Sequence, residues 1–233
     1  MNNIGAIKES TLHRHLKFRY SEPGKTEVPV GDYVCDGQRE NGELIEVQTG
    51  SFGPLKEKIA QLSKNERIRV IYPIVLIKRI ELFGQDGNLI REKKSPKKGC
   101  AWDLFNSLVY APELPLNPKV TVELVFLDII EKRKDDGKGA RRRKGITIID
   151  RVPVSWHESI ILRKKRDYGQ FIPGKKEETF TVKDLSGWAG ISIALARKCL
   201  YVLHKMGITE RVGKQGNAYI YKKKRKAASP TDS

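Results

Sequence analysis

The chain has 233 residues, 39% of them hydrophobic, and no apolar run long enough to cross a bilayer as a helix, which takes about 20 residues. Its formal charge of +17 is unevenly distributed: residues 1–131 carry 19 Lys/Arg against 18 Asp/Glu, and residues 132–233 carry 26 against 10. A membrane protein is therefore not expected, and the basic C-terminal part calls for a polyanion, with nucleic acid as the leading partner.

The first residues lack the basic stretch and apolar run of a secretory signal. Cys35, Cys100 and Cys199 are odd in number and widely spaced, which predicts small buried hydrophobes rather than disulfides or a zinc site. Both features predict a cytoplasmic chain. No phosphate-binding glycine loop, Ser-His-Asp grouping or dinucleotide fingerprint occurs, so no small-molecule cofactor is expected.

In chain order, Ile4, Ile7, Leu12, Leu16 and Tyr20 recur at helical spacing and predict an amphipathic first helix that carries Glu9 and ends before SEPGK. EVPVGDYVCDG and ELIEVQTG alternate as strands, and the intervening ENG is hairpin chemistry. GPLKEKIAQLSKN predicts a helix, with Pro54 in its first turn and Leu55, Ile59 and Leu62 on one face. RIRVIYPIVL reads as a nearly continuous strand buried on both faces, and Phe52 and a turn at Tyr72-Pro73 read as packing residues. A hairpin at QDGN, a short helix in AWDLFNSLVYAPEL and two long strands joined by KRKDDGKGARRRKG follow. That joining loop suits a solvated hairpin tip and phosphate contact alike.

The composition changes near Glu178, where a second unit is predicted. Thr181 suits the cap of a short helix bearing Val182, Leu185 and Trp188, and Ser192 the cap of a longer one. The longer helix has an apolar stripe of Leu195, Cys199, Val202, Leu203 and Met206, with Ser192, Ile193, Arg197, Lys198, Tyr201 and Lys205 on its other face. GITERVGKQGNAYIYK then alternates as a β-hairpin with Lys214 at its tip. Residues 179–224 resemble a winged helix-turn-helix, which implies DNA binding through the second helix and the hairpin. Ser192, Arg197, Lys198, Tyr201, Lys205 and Lys214 would contact DNA, as would Lys222, Lys223, Lys224 and Arg225 of the basic run that ends it.

In the strand LIEVQ, Glu46 and Gln48 share one face while Ile45 and Val47 take the other, and pairing across the ENG turn sets Asp36 near Glu46. Such hard oxygen ligands suit Mg²⁺ or Mn²⁺. His13 and His15, at i and i+2, fall on different faces and are not expected to ligate together.

The order helix, Asp-bearing hairpin, E-x-Q strand, helix and buried strand over residues 4–77 resembles the PD-(D/E)XK nuclease superfamily. The resemblance implies a restriction-endonuclease-like α/β (α+β) fold, with a mixed sheet flanked by helices, and metal-dependent hydrolysis of DNA phosphodiesters leaving a 5′-phosphate. Asp36 and Glu46 then take the places of the metal-ligating acids, with Asp32 the rival of Asp36, and Glu9 that of an additional acid. Gln48 stands where lysine is usual, so Lys58 or Lys56 of the next helix is a candidate for the missing cation.

Together these readings predict a nuclease-like domain with a β-rich extension over residues 1–177, a winged helix over 178–226 and a disordered tail over 227–233. A homodimer is compatible with them. The alternative is a DNA-binding or regulatory protein that keeps the nuclease fold without activity, and an RNA-directed binder is a third reading.

Overall fold

The computed structural model describes residues 9–172 and 179–224. The protein is mixed α+β and is built on a mixed sheet. Its described residues divide into two compact units: residues 9–49, 62–101 and 122–161 form the first, and residues 50–61, 102–121, 162–172 and 179–224 the second.

The first unit opens with α1 (Thr11–Tyr20). Ser10 caps it, its hydroxyl accepting from the His13 N–H, so Glu9 stands just before the helix rather than on it. The expected start at Ile4 lies outside the described residues.

EVPVGDYVCDG is two strands, not one: β1 (Thr26–Val30) and β2 (Tyr33–Gln38) pair antiparallel, with Val30 opposite Tyr33. Gly31, at a φ of 58°, and Asp32 make the tight turn between them. Asp32 is consequently an exposed turn residue. β3 (Leu44–Val47) pairs antiparallel with β2 and parallel with β4 (Ile68–Phe83). A parallel step needs a crossover, and the segment carrying α2 (Leu55–Leu62) supplies it in the chain.

Tyr72 and Pro73 do not turn the chain but run inside the 16-residue β4, with Tyr72 buried. β5 (Leu89–Lys94) pairs back onto β4, and β6 (Val120–Asp135) and β7 (Ile146–Leu162) complete a seven-stranded sheet in the order β1-β2-β3-β4-β6-β7. Its core joins Leu12 and Leu16 of α1 to Ile45, Val47, Ile71, Val125, Leu127 and Ile129, with Tyr20, Val75 and Trp156 at its margin. Phe52 is fully buried, as are Cys35 and Cys199, while Cys100 is partly exposed.

In the second unit, AWDLFNSL forms a 3₁₀ turn over Ala101–Leu104 and then α3 (Phe105–Leu108). Phe171 meets Trp102 and Phe105 edge to face, at centroid separations of 5.8 and 4.9 Å. β8 (Thr179–Phe180) leads into α4 (Val182–Ala189), which Thr181 caps with a reciprocal bond from Asp184, and α5 (Ile193–Lys205), which Ser192 caps. β9 (Thr209–Gln215) and β10 (Ala218–Lys223) form the hairpin, and β8 adds a third strand that the sequence pattern did not reveal. Leu185, Leu195, Cys199, Val202, Leu203 and Met206 are all buried.

Candidate functional site

Side chains of α1, β1 and β2 converge at one place in the first unit, against the backbone of β3. The register pairs Gly37 with Ile45 and Gln38 with Leu44, and Asp36 lies just beyond the last pair of β2 and β3, on the strand end toward Val47. The Asp36 side chain continues that pairing: its Oδ2 accepts from the Val47 N–H at 2.7 Å. Ile45 and Val47 pack with Leu12 and Leu16 of α1, so strand alternation turns Glu46 to the opposite face of β3. Glu46 is only 3% exposed. Gln48 follows the last residue of β3, its N–H donating to the Ile71 carbonyl at 2.9 Å.

Asp36 also faces α1. Its Oδ1 lies 3.2 Å from His13 Nε2 and 3.8 Å from Lys17 Nζ. Lys17 is nearly buried and lies 3.1 Å from Glu9, and its ammonium also pairs with Glu27 of β1. His13 Nε2 is 3.6 Å from Glu9. Two of the sequence-predicted acids, Glu9 and Asp36, are thereby brought together, along with three residues the sequence reading did not select: His13, Lys17 and Glu27. A signal for two of them existed, because His13 and Lys17 are i, i+4 neighbours on one helix face.

Burial acts to raise the pKa of Asp36, but the bonds from His13 and the Val47 N–H, together with the nearby positive charge, outweigh it and hold the carboxyl below its ordinary value. Asp36 is thus kept ionised. Lys56 and Lys58 lie on the part of α2 that belongs to the second unit, Lys56 exposed and Lys58 half-buried.

Mg²⁺ and Mn²⁺ take oxygen ligands, and Mg²⁺ commonly uses one or two carboxylates while water and phosphate fill the remaining positions. Asp36 supplies one such carboxylate, with Glu9 sharing its His13 and Lys17 contacts, whereas strand alternation turns Glu46 to the face of β3 away from α1. Among the described residues no group of three or more His, Cys, Asp or Glu forms an all-protein cage.

A second polar cluster braces the same sheet. Arg69 of β4 donates from Nε to Glu43 Oε2 at 2.8 Å and from Nη1 to Glu123 Oε2 at 2.6 Å. The other oxygen of Glu123 accepts from the Tyr20 hydroxyl and the Ser159 hydroxyl, each at 2.9 Å. Arg69, Glu43 and Glu123 are all buried, and the cluster ties α1, β4, β6 and β7 together, with Ser159 exposed at its edge.

In the second unit, Ser192, Ile193, Arg197, Tyr201 and Lys205 form the exposed face of α5. Lys198 is turned inward, donating to Asn106 Oδ1 at 2.9 Å, and Lys223 donates to the Gly169 carbonyl at 2.8 Å. On the hairpin, Arg211 stacks over Tyr219 with its guanidinium carbon 4.0 Å from the ring centroid, and Lys214 Nζ lies 4.9 Å from the same ring. Lys214 and Lys224 are exposed, Lys222 is half-buried and Arg225 lies outside the described residues.

Residues 10–163 match the model of a family described as a domain of unknown function (DUF8091). A Treponema pallidum (strain Nichols) protein titled "Uncharacterized protein" is 28% identical over 221 residues, which span 94% of this chain and 87% of that protein. No solved structure matches.

Proposed function

For this chain, which belongs to the DUF8091 family, we propose a DNA endonuclease: the first unit would hydrolyse phosphodiesters, and the exposed face of α5 with its hairpin would hold the duplex. The observation that carries the reading is the bond from the Val47 N–H to Asp36. It fixes one carboxylate against the strand that bears Glu46 and Gln48, after a helix and before a parallel crossover, which is the element order of the PD-(D/E)XK resemblance.

Asp36 and the neighbouring Glu9 would hold Mg²⁺ or Mn²⁺, with Glu46 the further ligand that the resemblance implies, and the ion would supply water activation and phosphate polarisation. Gln48 has no charge to place on a developing phosphorane and would orient water by hydrogen bonding alone. The bonds from His13 and the Val47 N–H, with Lys17 nearby, hold Asp36 ionised, and α5 offers Arg197 and Lys205 to the phosphates.

One observation favours a second reading. The ammonium of Lys17 already answers the charge of Glu9, Glu27 and Asp36, as suits a nuclease-like core retained as a DNA-binding scaffold. A single assay separates the two. The purified chain is incubated with supercoiled, linear and branched DNA in Mg²⁺ or Mn²⁺, beside Asp36→Ala and Glu46→Ala. The endonuclease reading expects nicking or cutting that both variants lose. Retarded but intact DNA under every condition selects the scaffold, and a preference for RNA in the accompanying titration would overturn both.

A further inference from the structure

The loop KRKDDGKGARRRKG joins two strands that are neighbours in the sheet, with ten residues between β6 and β7. So short a link makes the pair a hairpin, with strands of 16 and 17 residues. A solvated tip could close with two residues. This one is longer and is built.

Asp136 accepts from the Lys138 N–H at 3.0 Å and from the Thr147 hydroxyl at 2.8 Å, clamping one side of the loop to the other. The Gly139 N–H donates to the Gly145 carbonyl at 2.7 Å. The approach is close enough that a Cβ at residue 139 would fall 1.9 Å from the Ile146 carbonyl oxygen, which excludes any side chain there. Arg141–Arg143 then form a 3₁₀ turn, and Arg143 Nε donates back to the Ile146 carbonyl at 3.2 Å.

The division of labour among charges carries the inference. Asp136 is used to hold the loop, and Arg143 is tied to its backbone. Arg141, Arg142 and Lys144 point outward, exposed, with no carboxylate within ion-pairing distance among the described residues. Nearer the body of the sheet, the buried Glu131 is shared by Lys78, Arg133 and Arg151, so there too cations outnumber the acid they answer. From Lys132 to Arg151 the hairpin carries nine Lys/Arg against three Asp/Glu.

We propose that the β6–β7 hairpin is a second DNA-contacting element, an arm whose Arg141, Arg142 and Lys144 bind the phosphates of duplex DNA. The major groove of B-form DNA admits a two-stranded ribbon, whereas the major groove of A-form RNA is too deep and narrow for side chains to read, so duplex DNA is the occupant that fits. Contact is with the backbone, since a tip of adjacent cations neutralises phosphate without distinguishing base edges.

The arm rests on the reading that the chain acts on DNA, and the test keeps the two apart. Affinity for one duplex is measured between about 50 and 200 mM salt for the intact wild-type chain, for the triple variant Arg141→Ala/Arg142→Ala/Lys144→Ala, and for the double variant Arg141→Lys/Arg142→Lys, in which Lys144 is kept. Each lost phosphate contact removes about 0.9 from the slope of log affinity against log salt, so the alanine variant should lose about 2 to 3 in slope and the lysine-bearing one little. Thermal unfolding checks that the tip variants remain folded, the expected result because the Asp136 and Arg143 bonds are retained. DNA binding by wild type with an unchanged slope in the alanine variant overturns the arm alone. Failure of wild type to bind any DNA overturns the reading beneath it as well. An equal loss of slope on double-stranded RNA overturns the assignment to DNA.

Discussion

The two units handle positive charge in opposite ways. In the first, most cations that matter for the core are turned inward and answered: Lys17 by Glu9, Glu27 and Asp36, and Arg69 by Glu43 and Glu123. In the second, Arg197, Lys205 and Lys214 stand exposed, and Arg211 and Lys214 lie over an aromatic ring rather than beside a carboxylate. Cations answered inside a fold hold it together, while cations left without an acid mark surface available to a partner. The β6–β7 tip is the place where the first unit adopts the second unit's style.

Removing one buried partner should break this contrast most sharply. Glu123→Ala would leave Arg69 with one carboxylate and the hydroxyls of Tyr20 and Ser159 without their acceptor, for an expected loss of about 3–5 kcal/mol of folding free energy by denaturant unfolding. A loss below about 1 kcal/mol would show that the inward pairs contribute little.

A smaller effect belongs to Asp36. Its carboxyl, held below the ordinary value of 3.8, adds stability at any pH above 3.8, and that contribution drains away as pH falls below 3.8 through the folded-state value. Asp36→Asn cannot titrate, so its stability should decline less steeply than that of wild type between about pH 4 and pH 2 in acid titrations followed by circular dichroism. Parallel curves would mean that the bonds from His13 and Val47 do not favour the charged form.

The smallest change in stability is expected on the outward side. Arg197→Ala with Lys205→Ala should alter unfolding free energy by no more than about 0.5 kcal/mol, yet lower the salt slope of DNA binding by about 2. A large stability loss would instead make α5's exposed face a packing surface.

Much of the element order could be read from the sequence because its cues are local. The capping residues Thr181 and Ser192, the apolar stripe of α5 and the alternation around Glu46 need only neighbours within a turn or a strand. The misreadings were local conflicts that longer-range pairing resolved. Val30-Gly31-Asp32-Tyr33 looked continuous until antiparallel pairing made it a two-residue turn, and Tyr72-Pro73, read as a turn, runs straight through β4. The first helix starts at Thr11 because the Ser10 hydroxyl caps it there.

The site divides along the same line. The sequence by itself determined that Glu46 and Gln48 share a strand parity, that an acid precedes the hairpin turn, and that positive charge accumulates beyond residue 131. Only the tertiary structure decided that Asp36 bonds the backbone of β3, that Lys17 and His13 of α1 face it, and that Arg69 joins Glu43, 26 residues before it, to Glu123, 54 residues after it. The reason is physical: period and capping are set by bonds between near neighbours, whereas the partner of a buried charge is whichever opposite charge the packed sheet brings within about 4 Å.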